Sequence, residues 1–397
     1  MSNRRETVEG SQPPWYTDQK RTASSDRSAP GGRRKGDTTV MLEQLKYKIE
    51  QKKPVSVVYL GGSITEGTGA SSPSACWASR VQNWLERSFP ESHFSCQNAG
   101  IGGTDSEFGV FRLDRDVLAY EPDLVFVEFA VNDYKKEAAI CLNAMEGIVR
   151  RIRERRPGAD VVFVVTAMYR MEEECYSRGI RPESVQIHEQ VAKHYGIPVI
   201  FVGETLLCHI RTQREDPTVY LPDLVHPNDR GYACYYREIT AFLEQELRKT
   251  EAACTDRPLP SRLGDGRYQR TAMVDAGEYG HTNFFREAIS FGGRYPGYIS
   301  SGRPGTDGKF VFEGCGIGLY WMIAKDSGSL RFRLDKGEWK TVSAWDTYAL
   351  RFDRCHPVML ARDLEKGTHC LEYQVAEEAD ERSQGHFIRI AAFLVME

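Results

Sequence analysis

The sequence has no long hydrophobic run and no excess of basic residues, and each absence excludes a class of protein. No stretch approaches about 18 consecutive apolar residues, so a membrane-spanning helix is not expected. Lys and Arg number 52 against 56 Asp and Glu, a net charge of −4, whereas nucleic-acid binders normally carry a basic excess. The N-terminal residues include arginines but no apolar segment typical of a secretory signal. We therefore expect no membrane partner, no nucleic-acid partner and a cytoplasmic location.

Motifs for metals and redox chemistry are also missing. The ten cysteines form no CxxC pair, and many lie in apolar runs, which favours buried free thiols. The histidines form no HExxH cluster. His188 and His194 are six residues apart and do not share one face of a helix, so both are expected at the surface. The sequence thus predicts no metal and no cofactor.

The domain organisation follows from length and local composition. With 397 residues the chain is too long for one ordinary core, and its 41% of hydrophobic residues is typical of globular domains. Residues 1–36 are rich in Arg, Ser, Gly and Pro without periodicity, which predicts a flexible segment. Residues 37–250 form a predicted first domain, 251–264 a linker and 265–397 a second domain.

The first predicted domain alternates apolar runs with amphipathic stretches. The predicted strands are Val55–Leu60, His93–Gln97, Leu124–Phe129, Val161–Thr166 and Pro198–Val202. The predicted helices are Trp77–Ser88, Glu107–Ala119, Glu137–Glu154, Ser184–Tyr195 and Arg230–Arg248. Nearly continuous apolar strands between helices indicate a parallel sheet that is covered on both faces. We therefore predict a three-layer α/β sandwich with a five-stranded parallel sheet.

The second predicted domain has short apolar segments between Gly-rich turns and no long helical pattern. Residues 329–342 alternate apolar and polar side chains across a DKGE turn, which predicts a hairpin. Residues 314–321, GCGIGLYW, form a glycine-laced apolar strand suited to close packing rather than a nucleotide site. These patterns predict an all-β sandwich or jelly roll.

Two segments place small and hydroxyl residues directly after predicted strands. The segment YLGGSITEGTG puts the Ser63 hydroxyl at the carboxyl end of the first strand, where open α/β sheets form their sites. The segment QNAGIGGTDSEFG contains Gly103, whose loop can expose backbone N–H groups to a ligand. Each segment alone also fits an ordinary turn, the second one with a helix cap at 104–106. Phosphate-loop patterns and the GxSxG elbow are absent.

Two further segments carry an amide and a carboxylate–imidazole pair. Asn132 follows the most apolar strand and can donate its side-chain N–H to an oxyanion, or it can cap a helix. The segment DLVHP holds Asp223 three residues before His226, so the carboxylate can orient the imidazole that takes a proton from Ser63. The alternative is an ordinary loop histidine before a helix capped at 228 or 229.

The four segments in this order resemble the SGNH (GDSL-like) hydrolase family, over about residues 54–248. The resemblance implies a flavodoxin-like sheet, Ser63 as nucleophile and Asp223 with His226 as the base pair. It also implies an oxyanion hole formed by Ser63, Gly103 and Asn132. One departure stands out: GGSIT replaces GDSL, so a glycine precedes Ser63. Such variants look like polysaccharide-directed members, and the β region resembles the jelly-roll accessory domains of some carbohydrate esterases.

We therefore expect a serine esterase that removes O-acetyl groups from a carbohydrate, with an acetylated saccharide or another small ester as substrate. The alternatives are a small-molecule or aryl esterase, a lysophospholipase or a thioesterase. A glycan-binding protein with a decayed hydrolase domain is disfavoured because all the expected site residues are present. The β domain can bind glycan, pack beside the active site or form a dimer, and a homo-oligomer stays open. Its aromatic residues, which either stack on sugars or form the core, are Tyr320, Trp321, Trp339, Trp345 and Tyr348.

Overall fold

The computed structural model describes most of the chain as two layered regions. The described residues are 41–176, 178–250, 259–278, 282–287 and 297–397. The predicted flexible segment 1–36 and residues 251–258 of the predicted linker lie outside them.

The first region is built on a five-stranded parallel sheet, as predicted. Its strands are β1 (Val55–Gly61), β2 (Phe94–Gly100), β3 (Leu124–Glu128), β4 (Asp160–Val164) and β5 (Val199–Ile200). Their order in the sheet is β2-β1-β3-β4-β5, the flavodoxin-like arrangement. All residues of β3 and β4 are buried, because helices cover both faces of the sheet.

The helices flank this sheet in two layers. They are α1 (Glu43–Glu50), α2 (Ser63–Glu66), α3 (Trp77–Ser88), α4 (Ser106–Phe111), α5 (Leu113–Asp116), α6 (Ala138–Arg155), α7 (Tyr169–Tyr176), α8 (Glu183–Tyr195), α9 (Val202–Gln213) and α10 (Asp229–Arg248). Four of the predicted helices match α3, α6, α8 and α10 closely. The predicted helix Glu107–Ala119 is instead divided into α4, α5 and a short 3-10 turn. The sequence patterns did not identify α1, α2, α7 and α9.

The second region consists of two antiparallel sheets, which confirms the predicted all-β fold. Its strands are β6 (Thr271–Asp275), β7 (Phe285–Glu287), β8 (Tyr298–Ser301), β9 (Asp307–Gly314), β10 (Gly316–Ile323), β11 (Ser329–Leu334), β12 (Lys340–Ser343), β13 (Arg354–Ala361), β14 (Gly367–Val375) and β15 (Ile388–Met396). One sheet has the order β13-β10-β15-β8-β7, with β6 also paired to β15, and the other has the order β12-β11-β14-β9. The side chains between the two sheets form a common apolar core.

Two predicted details of this region are present. Strands β11 and β12 form the hairpin around the DKGE turn, where Asp335 and Lys336 adopt positive φ angles of 52° and 62°. Strand β10 is buried along its whole length between β13 and β15. A Cβ at Gly318 would lie 2.6 Å from Met359, so close packing explains that glycine.

The two regions share one buried core where the second packs on α4 and α6. The Phe108 ring stacks on Tyr320 with centroids 4.4 Å apart, and Tyr268 is fully buried. The Glu107 carboxylate accepts hydrogen bonds from Tyr268, Lys136 and Arg362. Burial alone would raise the pKa of Glu107, but these partners lower it to about 2. The second region therefore lies firmly against the first, through both apolar and charged contacts.

Two expectations from composition concern membrane helices and cysteines in the described residues. No helix among them is long and apolar enough to cross a membrane. Every cysteine among them is a free thiol, but only Cys76 and Cys141 are fully buried, so the expectation of buried thiols is too broad. The other thiols lie on half-buried faces of helices and strands, where an apolar sequence neighbourhood does not ensure complete burial.

Candidate active site

The predicted site residues gather at the carboxyl ends of the parallel strands. Ser63 follows β1 as the first residue of α2, and Asn132 follows β3. Strand β1 lies between β2 and β3, so the strand order reverses here and the adjacent crossover connections leave a crevice. The location is the one where open α/β sheets bind their ligands.

Three of the predicted residues form a hydrogen-bonded chain. The Ser63 Oγ lies 2.8 Å from His226 Nε2, and His226 Nδ1 lies 2.7 Å from Asp223 Oδ2. An ionised carboxylate only accepts hydrogen bonds, so the proton of a neutral His226 is on Nδ1 and Nε2 accepts from Ser63. In this tautomer the imidazole can receive the serine proton.

The DLVHP loop holds Asp223 and His226 in this arrangement. The other Asp223 oxygen, Oδ1, accepts from the backbone N–H of Val225 at 3.0 Å and of His226 at 2.7 Å. Leu224, which lies between Asp223 and Val225 in the chain, adopts a positive φ of 65°, a conformation that is costly for a branched side chain. Burial would raise the pKa of the Asp223 carboxyl, but the hydrogen bonds from the His226 ring and both amides hold the pKa below its usual value. Asp223 is therefore kept as an ionised acceptor.

The glycine loop after β2 is fixed against the serine turn. The Glu66 carboxylate in α2 accepts from the Gly102 N–H at 2.9 Å, and the Asn98 amide donates to the Thr65 carbonyl at 2.8 Å. Gly103 has a φ of 70°, in the left-handed region that glycine adopts without strain. Asp105 caps α4 by accepting from the Phe108 N–H, so a turn with a helix cap is present beside the exposed glycine backbone.

Gly62, the glycine that departs from GDSL, lies against Asn132. A Cβ built on Gly62 would lie 2.1 Å from Asn132 Oδ1, a distance that no real Cβ contact shows. In this structure the side-chain amide of Asn132 therefore occupies the space that a side chain at position 62 would need. Asn132 does not cap the following helix α6, whose first flanking residue is Glu137.

Glu128 lies beneath the serine turn, and sequence reasoning missed it. Its carboxylate accepts from Thr65 Oγ1 at 2.9 Å, from Thr166 Oγ1 at 2.7 Å and from the Gly62 backbone. Complete burial raises the pKa of Glu128 to about 7 in spite of these donors, and the nearby charge of Asp133 acts in the same direction. An acidic residue within the apolar run LVFVEF was the available signal.

Arg112 is a second residue that the sequence analysis did not single out. Its fully buried guanidinium donates to the carbonyl of Ala99 at 2.6 Å and of Gly61 at 3.0 Å. These carbonyls lie near the ends of β2 and β1, so Arg112 joins the two strands from which both glycine loops start. The signal was a lone arginine in the apolar stretch FGVFRLD.

The site opens into a cleft of about 730 Å³ with walls from both regions. Ser63, Gly103, Asn132 and His226 line the cleft, and Asp223 lies behind His226. The residues of the second region that line it are Tyr320, Tyr348, Phe352, Asp353, Arg354, Cys355 and His356. The sequence left open whether the β domain packs beside the active site, but no pattern identified the residues of this wall.

The aromatic side chains of the second region divide between core and cleft. Tyr320, Trp321 and Trp345 are buried, as the core interpretation predicted. Tyr348 is 55% exposed and lines the cleft, whereas Trp339 lies beside Arg331 and Arg333. Tyr348 is therefore the exposed member of the set that can meet a ligand at this site.

A buried cluster next to the site has the residue types of a metal centre. Asp133, Cys141 and His188 each offer one donor atom, and these three atoms lie within 4.8 Å of one another. The Asp133 carboxylate is already saturated by donors: the Ser106 N–H and hydroxyl at 3.0 Å, His188 at 2.8 Å and the Cys141 thiol at 3.4 Å. Burial raises the pKa of the Cys141 thiol, which disfavours the thiolate that a metal needs. These residues fit a hydrogen-bond network better than a metal site.

The expectation that His188 lies at the surface is wrong. It is 1% exposed, on the face of α8 that packs toward the sheet, and its ring lies 6.1 Å from that of Phe163. His194 is half-buried and donates to the Ser261 carbonyl at 2.7 Å. The spacing of the two histidines excludes a shared face but does not tell which residue faces inward.

Comparison with known proteins shows what part of the chain is similar to a known family. Residues 59–234 match the model of the GDSL-like Lipase/Acylhydrolase family. Among solved structures, a two-domain esterase (CEX) active on acetylated mannans is 24% identical, with a TM-score of 0.78 over 89% of this chain and 95% of that chain. The same esterase co-crystallized with mannopentaose gives 24% identity and a TM-score of 0.78, over 90% and 96% of the two chains. An acetylxylan esterase from Geobacillus stearothermophilus is 18% identical, with a TM-score of 0.40 over 48% and 94%. No curated protein matches the sequence.

Proposed function

We propose that this chain removes O-acetyl groups from a saccharide. Residues 59–234 match the GDSL-like Lipase/Acylhydrolase family, whose members are ester hydrolases of the SGNH type. The observation that carries this proposal is the chain from Ser63 through His226 to Asp223 at the edge of the cleft. We keep 37–250 as the limits of the catalytic domain and 265–397 as those of the β domain.

In the proposed mechanism Ser63 is the nucleophile. Its Oγ attacks the ester carbonyl carbon while His226 Nε2 takes the hydroxyl proton, and Asp223 stabilises the resulting imidazolium. The imidazolium then gives this proton to the leaving sugar oxygen as the ester C–O bond breaks. Water attacks the acyl-serine with the same base, which releases acetate and restores Ser63.

The oxyanion is held by donors that are already in position. We assign the backbone N–H groups of Ser63 and Gly103 and the amide of Asn132 to this role, because they meet at the same edge of the cleft. Removal of one such donor typically costs about 3–4 kcal/mol of transition-state stabilisation. The positive φ of Gly103 and the close contact of Asn132 with Gly62 support fixed donors in this role.

A saccharide substrate is supported by the form and the chemistry of the cleft. An exposed aromatic ring, Tyr348, and polar side chains line it together, a combination that suits an amphipathic sugar face. The structurally similar CEX is active on acetylated mannans. We therefore propose acetylated oligosaccharides of the mannan type as the first substrates to test.

The proposal is tested by acetate release from p-nitrophenyl acetate and from acetylated mannooligosaccharides, with wild type and Ser63→Ala at equal concentration. We expect the variant to fall to the non-enzymatic background with both substrates. Ser74→Ala is the matched control, since Ser74 is exposed and contacts Ser72. Equal feeble rates in wild type and Ser63→Ala would refute the serine esterase. A preference for long-chain esters over the oligosaccharide would favour the lipid or thioester alternatives.

A further inference from the structure

The second region brings a basic pair to the cleft. Arg354 and His356 follow one another on β13 with one residue between them, and both line the cleft together with Ser63. A Cβ built on Gly103 would lie 3.6 Å from Arg354 Nη1, so the guanidinium is adjacent to the glycine loop. The β domain thus extends a charged side chain as far as the proposed oxyanion donor.

Arg354 is held in one orientation. Its Nη2 donates to the Asp346 carboxylate, its guanidinium lies 5.1 Å from the centre of the Tyr348 ring, and its Nη1 is 3.0 Å from His356 Nδ1. The Nε atom is buried and has no hydrogen-bond partner. Because Asp346 balances its charge, the guanidinium acts here as a rigid donor group rather than as a free cation.

The contact with Arg354 determines where His356 carries its proton. A guanidinium has only donors and does not lose its proton in proteins, so His356 Nδ1 must be the acceptor. The His356 ring is therefore neutral, and its single proton is on Nε2. Burial lowers the pKa of His356 to about 4. The positive charges of Arg354 and Lys136 also lower it, and the negative charge of Asp346 raises it. The ring stays neutral at the pH values where esterases work.

The charge of the cleft indicates which ligand such a donor receives. The described lining residues include two carboxylates, Glu66 and Asp353, and one guanidinium, which is already paired. A carboxylate or phosphate on the substrate would meet this acidic lining without a free cation to compensate it. An uncharged oxygen acceptor, such as a hydroxyl or ring oxygen of a neutral sugar, suits a neutral N–H donor.

We propose that His356, fixed by Arg354 as the Nε2–H tautomer, is a specificity-determining residue that donates to an uncharged oxygen of the alcohol part of the ester. This assignment rests on the proposed function for its substrate class. His356 acts on binding of the sugar, whereas Ser63 and His226 act on the acyl group.

The activity test uses two substitutions that separate the two ring nitrogens. Asparagine keeps an oxygen near the Nδ1 position and so retains the acceptor for Arg354, whereas glutamine places an amide nitrogen near the Nε2 position. We measure kcat/KM for acetylated mannooligosaccharides relative to p-nitrophenyl acetate. We expect this ratio to fall about tenfold in His356→Asn and His356→Ala, the loss of one good hydrogen bond, and less than about threefold in His356→Gln. Equal ratios in His356→Asn and His356→Gln, or ratios unchanged from wild type in all three, overturn the proposal.

A second measurement does not depend on hydrolysis, and its decisive readout is made on the wild-type protein. The ring nitrogen shifts of 15N-histidine-labelled full-length protein report the tautomer directly, and His356→Gln assigns the signal. We expect protonated Nε2 and unprotonated Nδ1 from pH 5.5 to 8 in wild type, and an upward shift of the titration midpoint in Arg354→Met. A protonated Nδ1 in wild type overturns the inference even if Ser63-dependent esterase activity is found. If the protein has the expected His356 tautomer but no Ser63-dependent esterase activity, the result contradicts the proposed function and not the tautomer assignment.

Discussion

The buried carboxyl of Glu128 should make the protein lose stability as the pH rises. Its pKa lies at about 7, against an ordinary value of 4.5, because the side chain is fully buried beneath the serine turn. A folded-state pKa above the unfolded value means that the folded chain binds this proton more tightly. The stabilisation is complete below about pH 4.5 and is lost as the pH rises through 7. Since one pKa unit is worth about 1.4 kcal/mol, ionising Glu128 costs the fold about 3 kcal/mol.

The substitution Glu128→Gln removes this ionisation and keeps the size of the side chain. We expect the free energy of unfolding of wild type, relative to the variant, to decrease by about 3 kcal/mol between pH 4 and pH 8. Urea unfolding followed by tryptophan fluorescence at several pH values measures the difference, in which the titration of all other groups cancels. Glu244→Gln, on the exposed face of α10, is the control and should show no comparable trend. A difference that stays flat from pH 4 to 8 would show that burial does not raise this pKa.

Two further predictions concern the packing of the site and of the two regions. In Gly62→Ala the new Cβ would lie 2.1 Å from Asn132 Oδ1, so Asn132 must move. We therefore expect kcat on p-nitrophenyl acetate to fall about 100-fold. In the control Gly158→Ala the new Cβ meets Gln44 at an ordinary 3.6 Å, and kcat should stay at the wild-type value. Glu107→Gln removes a buried carboxylate whose pKa is lowered to about 2 from 4.5, so it should lower the free energy of unfolding by about 3 kcal/mol at pH 7. This loss should shrink as the pH falls from 4.5 toward 2, and a loss independent of pH would contradict the ion-pair explanation.

The sequence predicted the parallel sheet and the assembly of the site well because both depend on local patterns. The strands were recognisable as continuous apolar runs, and the four polar segments that follow strands or precede α10 lie at one edge whenever the strands are parallel. Ser63, His226 and Asp223 were therefore predictable as a group, even though Ser63 and His226 are 163 residues apart in the chain.

The remaining features depend on packing, which a single sequence does not determine. A helical pattern predicted one helix from Glu107 to Ala119, whereas the side chain of Arg112 turns inward to two strand carbonyls and the helix is divided there. The inward face of α8, and with it the burial of His188, is set by the sheet beneath it. The contribution of Arg354 and His356 to the cleft requires knowledge of how the β region lies on α4 and α6.

The position of β15 in its sheet sets an order of events during synthesis. The parallel sheet is complete once Ile200 has been made, whereas β6, β8 and β10 all pair with β15, which begins only at Ile388. A nascent chain therefore carries a finished α/β sheet while most of the six-stranded sheet waits for its central strand. The wall that holds Arg354 and His356 belongs to this late sheet. Ser63 and His226 can meet early, but the nascent enzyme gains its proposed sugar specificity only after residues 388–396 have emerged.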